Sequence, residues 1–296
     1  MNSILNQMFL HQRASFNKMY RDREATVIPP DVELIKDVSY DNKNSARKMD
    51  ILRPIDRGEN LPIIINVHGG GLILGNKEFN RPFCVRLCQQ GFVVFSIEYR
   101  LVPEVTAFQQ FSDVITASSY IKKCGGWYGG NTEKIFMVGD SAGAYLAVYA
   151  TAIKGNPSLS VAAYNSTSGA SIQALALISG MFYTNRFDKI GLFLPNALYG
   201  KHYKKSNFAQ FINPECDGIV RKLPPCYLVT SSGDYLHKYT IDFSKALKSN
   251  GVTYQLIDYS KTQGGNKLTH AFSVFYPDLP ESRITITQIA DFFRQF

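Results

Sequence analysis

Long apolar runs are absent from this sequence of 296 residues: none approaches the roughly 18 residues that a membrane-spanning helix needs. The first residues, MNSILNQMFLHQRASF, have no basic segment followed by an apolar core, so we expect neither a secretory signal nor stable membrane insertion. Cysteine is scarce, with five scattered residues, which favours reduced and mostly buried thiols in a cytoplasmic protein. Only Cys84 and Cys88 share a helix face, and no further Cys or His lies at ligand spacing. We therefore expect no metal and no other cofactor.

Charge of one sign is in moderate excess, because 32 Lys and Arg against 24 Asp and Glu give a formal net charge of +8. Such a charge can attract nucleic acid or an anionic surface. The basic residues are dispersed, however, and no recognised nucleic-acid module is present. The densest cluster is short and consists of Lys201, His202, Lys204 and Lys205. We interpret the charge as a solvated surface and expect no nucleic-acid partner; the alternative, a nucleic-acid-associated protein, predicts steeply salt-dependent binding.

Short apolar segments alternate with segments of helical periodicity along most of the chain. After two edge strands at Val32–Tyr40 and Lys48–Arg53, the predicted strands are Ile63–Val67, Phe92–Ile97, Ile135–Val138, Ala174–Ile178, Tyr227–Thr230 and Tyr254–Ile257. The predicted helices are Phe79–Gln90, Phe111–Lys123, Ala142–Ile153, Thr240–Asn250 and Ser282–Phe296. This alternation predicts an α/β fold with a mainly parallel sheet that helices cover on both faces. In such folds ligands bind at the carboxyl ends of the strands.

Two segments stand outside this alternation. Apolar residues at roughly helical spacing predict an N-terminal amphipathic helix; they are Ile4, Leu5, Met8, Phe9, Phe16, Met19 and Tyr20. Residues Gly180–Leu223 carry eight aromatic residues between two predicted strands. Loops of that length without secondary structure are uncommon in compact domains. No Pro-, Gly- or Ser-rich linker divides the chain. We therefore predict one domain, 1–296, with a cap formed by 1–30 and the insertion 180–223.

The pentapeptide at 139–143, Gly-Asp-Ser-Ala-Gly, matches G-x-S-x-G between a predicted strand and a predicted helix. This context is that of a nucleophile elbow, a strained turn that lifts a serine hydroxyl clear of the sheet. Larger side chains at 139 or 143 would collide with the neighbouring strand or helix. The pentapeptide alone also fits a glycine-rich turn without chemistry. Ser141 is the candidate nucleophile, and Asp140 either contacts the substrate or hydrogen-bonds the backbone of the turn.

A glycine-rich tetrapeptide, His68-Gly69-Gly70-Gly71, follows the strand predicted at 63–67. Consecutive glycines let backbone N–H groups point at one spot, as an oxyanion hole requires. A phosphate-binding loop is excluded, because the motif G-x-x-x-x-G-K-[ST] is absent. We expect this loop, including His68 and Gly69, to lie beside the substrate.

A serine nucleophile needs a base to accept its proton, and the chain has five histidines. Only His270, after the last predicted strand, agrees with the chain order of serine, acid and histidine in hydrolases with this elbow. Asp234 follows a predicted strand and is the favoured acid, since its carboxylate would hold the imidazole tautomer and stabilise the imidazolium. Asp242, Asp258 and Asp217 remain competitors.

Taken in order, these motifs resemble the hormone-sensitive-lipase-like α/β-hydrolase esterases. The resemblance rests on His68–Gly71, Glu98–Glu104, Gly139–Gly143, Gly233–Leu236 and His270–Phe272, and Lys48–Pro54 is similar to the first strand of acetyl-esterase relatives. Two positions depart from the family pattern: Val102 replaces the usual Ala, and Ala271 the usual Gly. Neither change removes a functional group. We interpret Tyr99, Arg100 and Glu104 as a buried polar brace beneath the glycine loop.

The resemblance implies an eight-stranded sheet with a cap from the N-terminus and the insertion. It implies Ser141 as nucleophile, Asp234 as acid and His270 as base, and it further implies oxyanion donors at Gly70, Gly71 and Ala142. The expected activity is hydrolysis of small to medium carboxylic esters through an acyl-enzyme. A serine peptidase of the same fold and a non-catalytic binding protein remain alternatives, and a homodimer is left open.

Overall fold

The computed structural model describes residues 3–296, and its side chains from residue 7 onward, so the predicted apolar positions Ile4 and Leu5 lie outside the described side chains. Eight strands form the main sheet: β1 (Val32–Ser39), β2 (Lys48–Pro54), β3 (Leu61–Val67), β4 (Val93–Ile97), β5 (Gly130–Asp140), β6 (Leu175–Ile178), β7 (Cys226–Ser231) and β8 (Tyr254–Tyr259). Their order is β1-β2-β4-β3-β5-β6-β7-β8. Among the described residues of this sheet, only the pairs β1–β2 and β2–β4 are antiparallel. The eight-stranded, mainly parallel sheet is therefore confirmed.

Helices connect most of these strands. They are α1 (Ser3–Met19), α2 (Arg81–Gln89), α3 (Ala107–Cys124), α4 (Ala142–Gly155), α5 (Pro157–Ala162), α6 (Lys189–Phe193), α7 (Pro195–Tyr199), α8 (Asp217–Val220), α9 (His237–Ser249), α10 (Phe272–Phe275) and α11 (Pro280–Phe293). The sequence prediction missed α5, α10 and a small hairpin of β9 (Thr262–Gln263) and β10 (Asn266–Lys267). The prediction also placed the start of α3 four residues too late. In the structure the helix begins at Ala107, where the Gln109 side chain accepts a hydrogen bond from the Thr106 N–H at 2.9 Å.

The helices cover both faces of the sheet. Along β3, Ile63 and Ile65 belong to one buried cluster, which includes residues of α3, α4 and α9. Ile64, between them, points to the opposite cluster, which includes residues of α2 and α11. Strands with both faces covered have no solvent side, and for this reason β3 reads as a continuous apolar run rather than an alternating one.

The two segments assigned to a cap differ in what they contact. In α1, Phe9 is buried, but Met8 and Met19 are exposed, so only part of the predicted apolar stripe faces the body. In the insertion, Phe208 is buried, and its ring centroid lies 4.9 Å from that of Phe108 on α3. The assignment of 1–30 and 180–223 to one cap stays a prediction.

The segment 98–104 is only partly a buried brace. Tyr99 is buried and its hydroxyl donates to the His68 carbonyl at 2.8 Å. Arg100 is half-buried and pairs with Asp113 at 2.7 Å. Glu104 contradicts the interpretation, since its side chain is 52% exposed and forms an ion pair with Arg13 of α1 at 2.8 Å. Its partner lies far away in sequence, so the local motif carried no sign of this contact.

Four of the five cysteines are buried and Cys216 is partly buried, and all five are free thiols. Among the helices of residues 3–296, none combines the length and the apolarity that crossing a bilayer would take.

Candidate active site

The turn between β5 and α4 holds Ser141 in a strained conformation, with φ 52° and ψ −115°. Its N–H donates to the Ile178 carbonyl at 2.8 Å, and its carbonyl accepts from the Met181 N–H at 2.9 Å. A Cβ at Gly143 would strike the Val67 carbonyl oxygen, and one at Gly139 would strike the backbone of Gly143. The steric argument for small residues on both sides of the serine is therefore confirmed. A strained residue that its neighbours hold in place is typical of functional sites.

Asp234 and His270 form a hydrogen-bonded pair, with Oδ1 of Asp234 2.7 Å from Nδ1 of His270. Asp234 also accepts a hydrogen bond from the Leu236 N–H at 2.8 Å. Burial acts to raise the pKa of this carboxyl, but the hydrogen bond and charge of His270 outweigh it and the pKa is lowered. The carboxylate stays ionised, and the pairing leaves Nε2 of His270 available for a proton.

The other acids that the sequence left open pair elsewhere. Asp242 accepts from Arg186 at 2.7 Å. Asp258 lies 2.9 Å from His237 on the rim of the sheet, and Asp217 pairs with Arg221 at 3.3 Å.

The loop that carries His270 is fastened to the end of β6. The Ala271 N–H donates to the Ser179 hydroxyl at 2.9 Å, and the same hydroxyl helps to lower the pKa of Asp234. Ala271 adopts the left-handed conformation with φ 48°, where the related family usually has glycine. Sequence reasoning missed Ser179, since nothing around it marks a serine whose partners lie more than fifty residues away.

The glycine loop after β3 presents unoccupied backbone donors. Gly70 has φ 117° and Gly71 has φ 61°, conformations that strongly favour glycine. The Gly70 carbonyl turns away to accept from the N–H groups of Ile73 at 3.1 Å and Leu74 at 3.0 Å. In the described part of the chain, the N–H groups of Gly70, Gly71 and Ala142 donate to no protein acceptor. Ala142 opens α4, where the first N–H groups have no acceptor within the helix.

Asp140 links this loop to the elbow. Its Oδ1 accepts from the Gly69 N–H at 3.0 Å and from Nδ2 of Asn80 at 2.8 Å. Burial raises the pKa of Asp140. The residue before the nucleophile thus holds the register of the loop that carries two candidate oxyanion donors.

His68 lies behind the loop rather than on the cavity wall. Its ring is fully buried and stacks on Tyr99 with centroids 4.2 Å apart, and its Nδ1 is 2.7 Å from the Gly69 carbonyl oxygen. Burial lowers its pKa to about 4, so the ring is neutral near pH 7. The substrate contact predicted for His68 and Gly69 stays a prediction, while Asp140 does reach the cavity.

A cavity of about 250 Å³ opens over Ser141 and His270. Its lining residues are Phe16, Gly70, Gly71, Ile73, Leu74, Phe79, Asp140, Ser141, Tyr235, His270 and Phe275. Ring centroids are 4.8 Å apart for Phe16 and Phe79 and 5.1 Å for Phe79 and Phe275, so three aromatic rings form one wall. The lining includes α1 through Phe16, but no residue of 180–223.

Tyr235 is a site residue that sequence reasoning did not single out. Its ring centroid lies 4.3 Å from that of His270, and it lines the cavity together with Ser141. Most of the side chain is exposed, which places it at the rim of the cavity. Its position directly after Asp234 was the available signal, because a residue next to the acid is carried into the site with it.

Residues 64–265 match a family model described as alpha/beta hydrolase fold. The chain belongs to the alpha/beta hydrolase fold family. This hydrolase-fold chain superposes on esterase B from Lactobacillus rhamnosis with a TM-score of 0.90 and 23% identity, over 100% of this chain and 96% of that one. The esterase from Pyrobaculum calidifontis gives a TM-score of 0.72 at 24% identity, over 100% and 98% of the two chains. At these identities the likenesses establish the fold.

Curated relatives of this hydrolase-fold chain carry esterase names. A probable isoprenylcysteine alpha-carbonyl methylesterase from Oryza sativa is 27% identical over 240 residues, which is 77% of this chain and 57% of that protein. The 3-O-acetylpapaveroxine carboxylesterase from Papaver somniferum is 34% identical over 137 residues, 39% of this chain and 42% of that protein. The chain thus spans little more than half the length of the methylesterase that it matches.

Proposed function

We propose that this protein is a carboxylic ester hydrolase that acts through a serine nucleophile and an acyl-enzyme. One observation carries the proposal: a strained serine, a histidine paired with a buried carboxylate and free backbone N–H groups surround a single cavity. Folding alone does not require these three features in one place. The esterase names of the relatives agree with this chemistry.

In the first half-reaction, Oγ of Ser141 attacks the ester carbonyl carbon while Nε2 of His270 accepts the hydroxyl proton. Asp234 holds the other ring nitrogen of His270 at 2.7 Å, which sets the tautomer and stabilises the imidazolium that forms. The tetrahedral intermediate places a negative charge on the former carbonyl oxygen.

Backbone N–H groups of Gly70, Gly71 and Ala142 would hold that oxyanion, since they have no other acceptor among the described residues. Collapse of the intermediate expels the alcohol, which takes the proton from His270. Water then attacks the acyl-enzyme with His270 as base, and the acid product leaves with Ser141 restored. Each proton that His270 accepts is returned in the same half-reaction, so no cofactor is needed.

The cavity favours a short ester. At about 250 Å³ it lies just below the roughly 300–1,000 Å³ of sites that hold drug-sized ligands. The rings of Phe16, Phe79 and Phe275 close one side and offer an apolar surface to the acyl or alcohol group. We therefore propose small to medium esters as substrates, in agreement with the sequence interpretation.

The proposal extends to the cap, the cellular location and the oligomeric state of the protein. We propose a single domain in which 1–30 and 180–223 cap the body, with the N-terminal part forming the cavity wall through Phe16. The free and mostly buried thiols favour a cytoplasmic location. A homodimer stays an open prediction that a sedimentation measurement decides.

The test combines a fluorophosphonate probe with a series of p-nitrophenyl esters from acetate to laurate. We expect wild type to be labelled and to prefer the short esters, and Ser141→Ala to lose labelling and several orders of magnitude in kcat. Ser232→Ala, an exposed serine after β7, is the matched control and should behave as wild type. Retained activity in Ser141→Ala overturns the nucleophile. Peptide turnover without ester turnover favours the peptidase, and an unlabelled, inactive wild type favours a binding protein.

A further inference from the structure

Three large apolar side chains stand out of the insertion within one short segment. Phe187 is 96% exposed, Leu192 58% and Phe193 60%. Single exposed apolar residues are ordinary, but three large ones within seven residues indicate an interaction site. These side chains do not line the cavity over Ser141.

The segment is anchored, so the exposure is built into the fold. Asp188 caps α6 by accepting from the Gly191 N–H at 3.0 Å, and it also accepts from the Tyr239 hydroxyl. Arg186 is paired with Asp242 at 2.7 Å and lies over the Tyr183 ring. These contacts hold both charged residues that flank Phe187 against the body.

The residue that follows α6 shows which way the helix faces. Leu194 is buried against the body, whereas Leu192 and Phe193 point outward. The helix therefore presents an apolar edge to solvent.

A basic region adjoins this edge. Phe187, Leu192, Tyr203 and Lys204 line one hollow of about 480 Å³. Tyr203 and Lys204 also line a second hollow of about 360 Å³, together with Asn196, Lys201, His202 and Lys205. Because the two hollows share residues, the apolar and basic parts form one continuous surface.

The lysines of this surface are available for a partner. Lys189, Lys201, Lys204 and Lys205 are exposed, and within the described chain none of them forms an ion pair with a carboxylate. From the sequence alone this cluster reads as a solvated face. Its position beside exposed aromatic and leucine side chains indicates a binding surface instead.

We propose that this apolar–basic surface, consisting of Phe187, Leu192, Phe193 and the lysines at 189, 201, 204 and 205, docks the protein on an anionic lipid bilayer. Aromatic and leucine side chains enter the interfacial region of a bilayer, and lysines are attracted to its anionic headgroups. A nucleic acid would use the lysines but gives no role to an outward-facing leucine. The contact is peripheral and goes beyond the proposed esterase chemistry, since it uses no residue of the active site.

The test is co-sedimentation of the purified full chain with vesicles. One set is pure phosphatidylcholine and the other contains about 30% phosphatidylserine, each at about 0.1 M and about 0.5 M salt. We expect binding to the anionic vesicles at low salt, several-fold weaker binding at high salt, and little binding to the neutral vesicles. Turnover of a short, water-soluble ester, measured in parallel, reports that the protein is folded.

Two variants separate the parts of the surface. Phe187→Ser/Phe193→Ser removes the inserting rings, and Lys201→Glu/Lys204→Glu/Lys205→Glu reverses the charge. The charge reversal should weaken vesicle binding at least about ten-fold, since one lysine near an anionic surface accounts for about five-fold in affinity. Loss of the two rings should weaken binding to the same vesicles as well, because the apolar area buried in the bilayer decreases. Turnover of the soluble ester should stay at the wild-type level in both.

Matched controls carry the same chemical changes elsewhere on the surface. Trp127→Ser/Ile284→Ser removes two exposed apolar side chains. Lys123→Glu/Lys134→Glu/Lys248→Glu makes the same change in net charge at other exposed lysines. Vesicle binding at the wild-type level in these controls, together with its loss in the surface variants, supports the proposal.

Three results would overturn the proposal. They are no binding of wild type to anionic vesicles, equal binding to both kinds of vesicle regardless of salt, and equal loss in the surface and control variants. Retention by a DNA or RNA duplex without vesicle binding would assign the lysines to nucleic acid instead. An inactive esterase that still binds anionic vesicles would refute the proposed function and leave this surface standing.

Discussion

The guanidinium of Arg13 on α1 donates to the Ile73 carbonyl oxygen at 2.9 Å, which joins the N-terminal helix to the loop that carries Gly70 and Gly71. A second donor of Arg13 reaches the Val102 carbonyl at 2.9 Å, and the ion pair with Glu104 completes the set. The helix that supplies Phe16 to the cavity is thus held by the same side chain that supports the candidate oxyanion loop.

Arg13→Gln should weaken the attachment of α1 and of the loop that carries Gly70 and Gly71. A hydrogen bond from a charged group contributes about 1.5–3 kcal/mol, so we expect kcat/KM for a short ester to fall about ten-fold. Steady-state kinetics with p-nitrophenyl butyrate measures the change. Arg21→Gln, on an exposed residue after α1, is the control. Equal kinetics in the two variants would show that the anchor does not matter for turnover.

Asp234→Asn should lower kcat by about four orders of magnitude, because an amide cannot hold the His270 tautomer that accepts the serine proton. The pKa of Asp234 is lowered, so the wild-type carboxylate is charged near neutral pH, and the loss should be present at each neutral pH at which the two proteins are compared. Asp258→Asn is the control, since Asp258 is partnered with His237 instead. A similar loss in Asp258→Asn would mean that the acid was assigned wrongly.

Tyr235 should contribute through its ring more than through its hydroxyl. Tyr235→Phe keeps the ring contact with His270 and loses only the hydroxyl, so kcat/KM should fall by no more than about five-fold. Tyr235→Ala also loses the ring contact with His270, and we expect a fall of at least about ten-fold. Indistinguishable rates for Phe, Ala and wild type would remove Tyr235 from the site.

The aromatic wall should set the length of the acyl or alcohol chain. Phe275→Ala opens the cavity beside Phe79, and we expect the ratio of kcat/KM for octanoate to that for butyrate to rise at least about ten-fold. Trp127→Ala removes an exposed ring that does not line the cavity and should leave the ratio unchanged. An unchanged ratio in Phe275→Ala would mean that the chain binds along a different wall.

The partly buried carboxyl of Glu98 should make the free energy of unfolding depend on pH. Burial raises its pKa to about 7, while a hydrogen bond from the Lys77 backbone N–H, 2.8 Å long, acts to lower the pKa. Between about pH 4.5 and 7 the unfolded chain ionises this group and the folded chain keeps its proton, so its contribution to stability decreases as pH rises. The free energy of unfolding of Glu98→Gln, relative to that of wild type, should therefore rise by about 2–3 kcal/mol from about pH 4.5 to about pH 8.

Urea unfolding of both proteins at the two pH values measures the difference, and Glu59→Gln, an exposed site, should show none. A stability difference between Glu98→Gln and wild type that does not change with pH would place the pKa of Glu98 near its ordinary value.

Local chemistry made the fold and part of the site predictable. The strands of a covered parallel sheet are apolar throughout, so they are visible as short runs such as that at 63–67. The elbow is equally local, since Gly139 and Gly143 are needed within two residues of Ser141. The short elements were less visible: α10 has only four residues, too few for a helical period to repeat.

The sequence by itself determined the class of fold, and it proposed the nucleophile turn and the chain order of the candidate serine, acid and base, because each depends on residues close together or on their order. The sequence favoured Asp234 and left Asp258 as a competitor, and tertiary structure decided that Asp234 meets His270. Tertiary structure alone decided that Ser179 holds the histidine loop and that the Tyr235 ring lies against His270. It also turned Phe187 outward beside the lysines. These are relations between segments far apart in the chain, and no local pattern records which of two suitable side chains the packing of the sheet brings within reach.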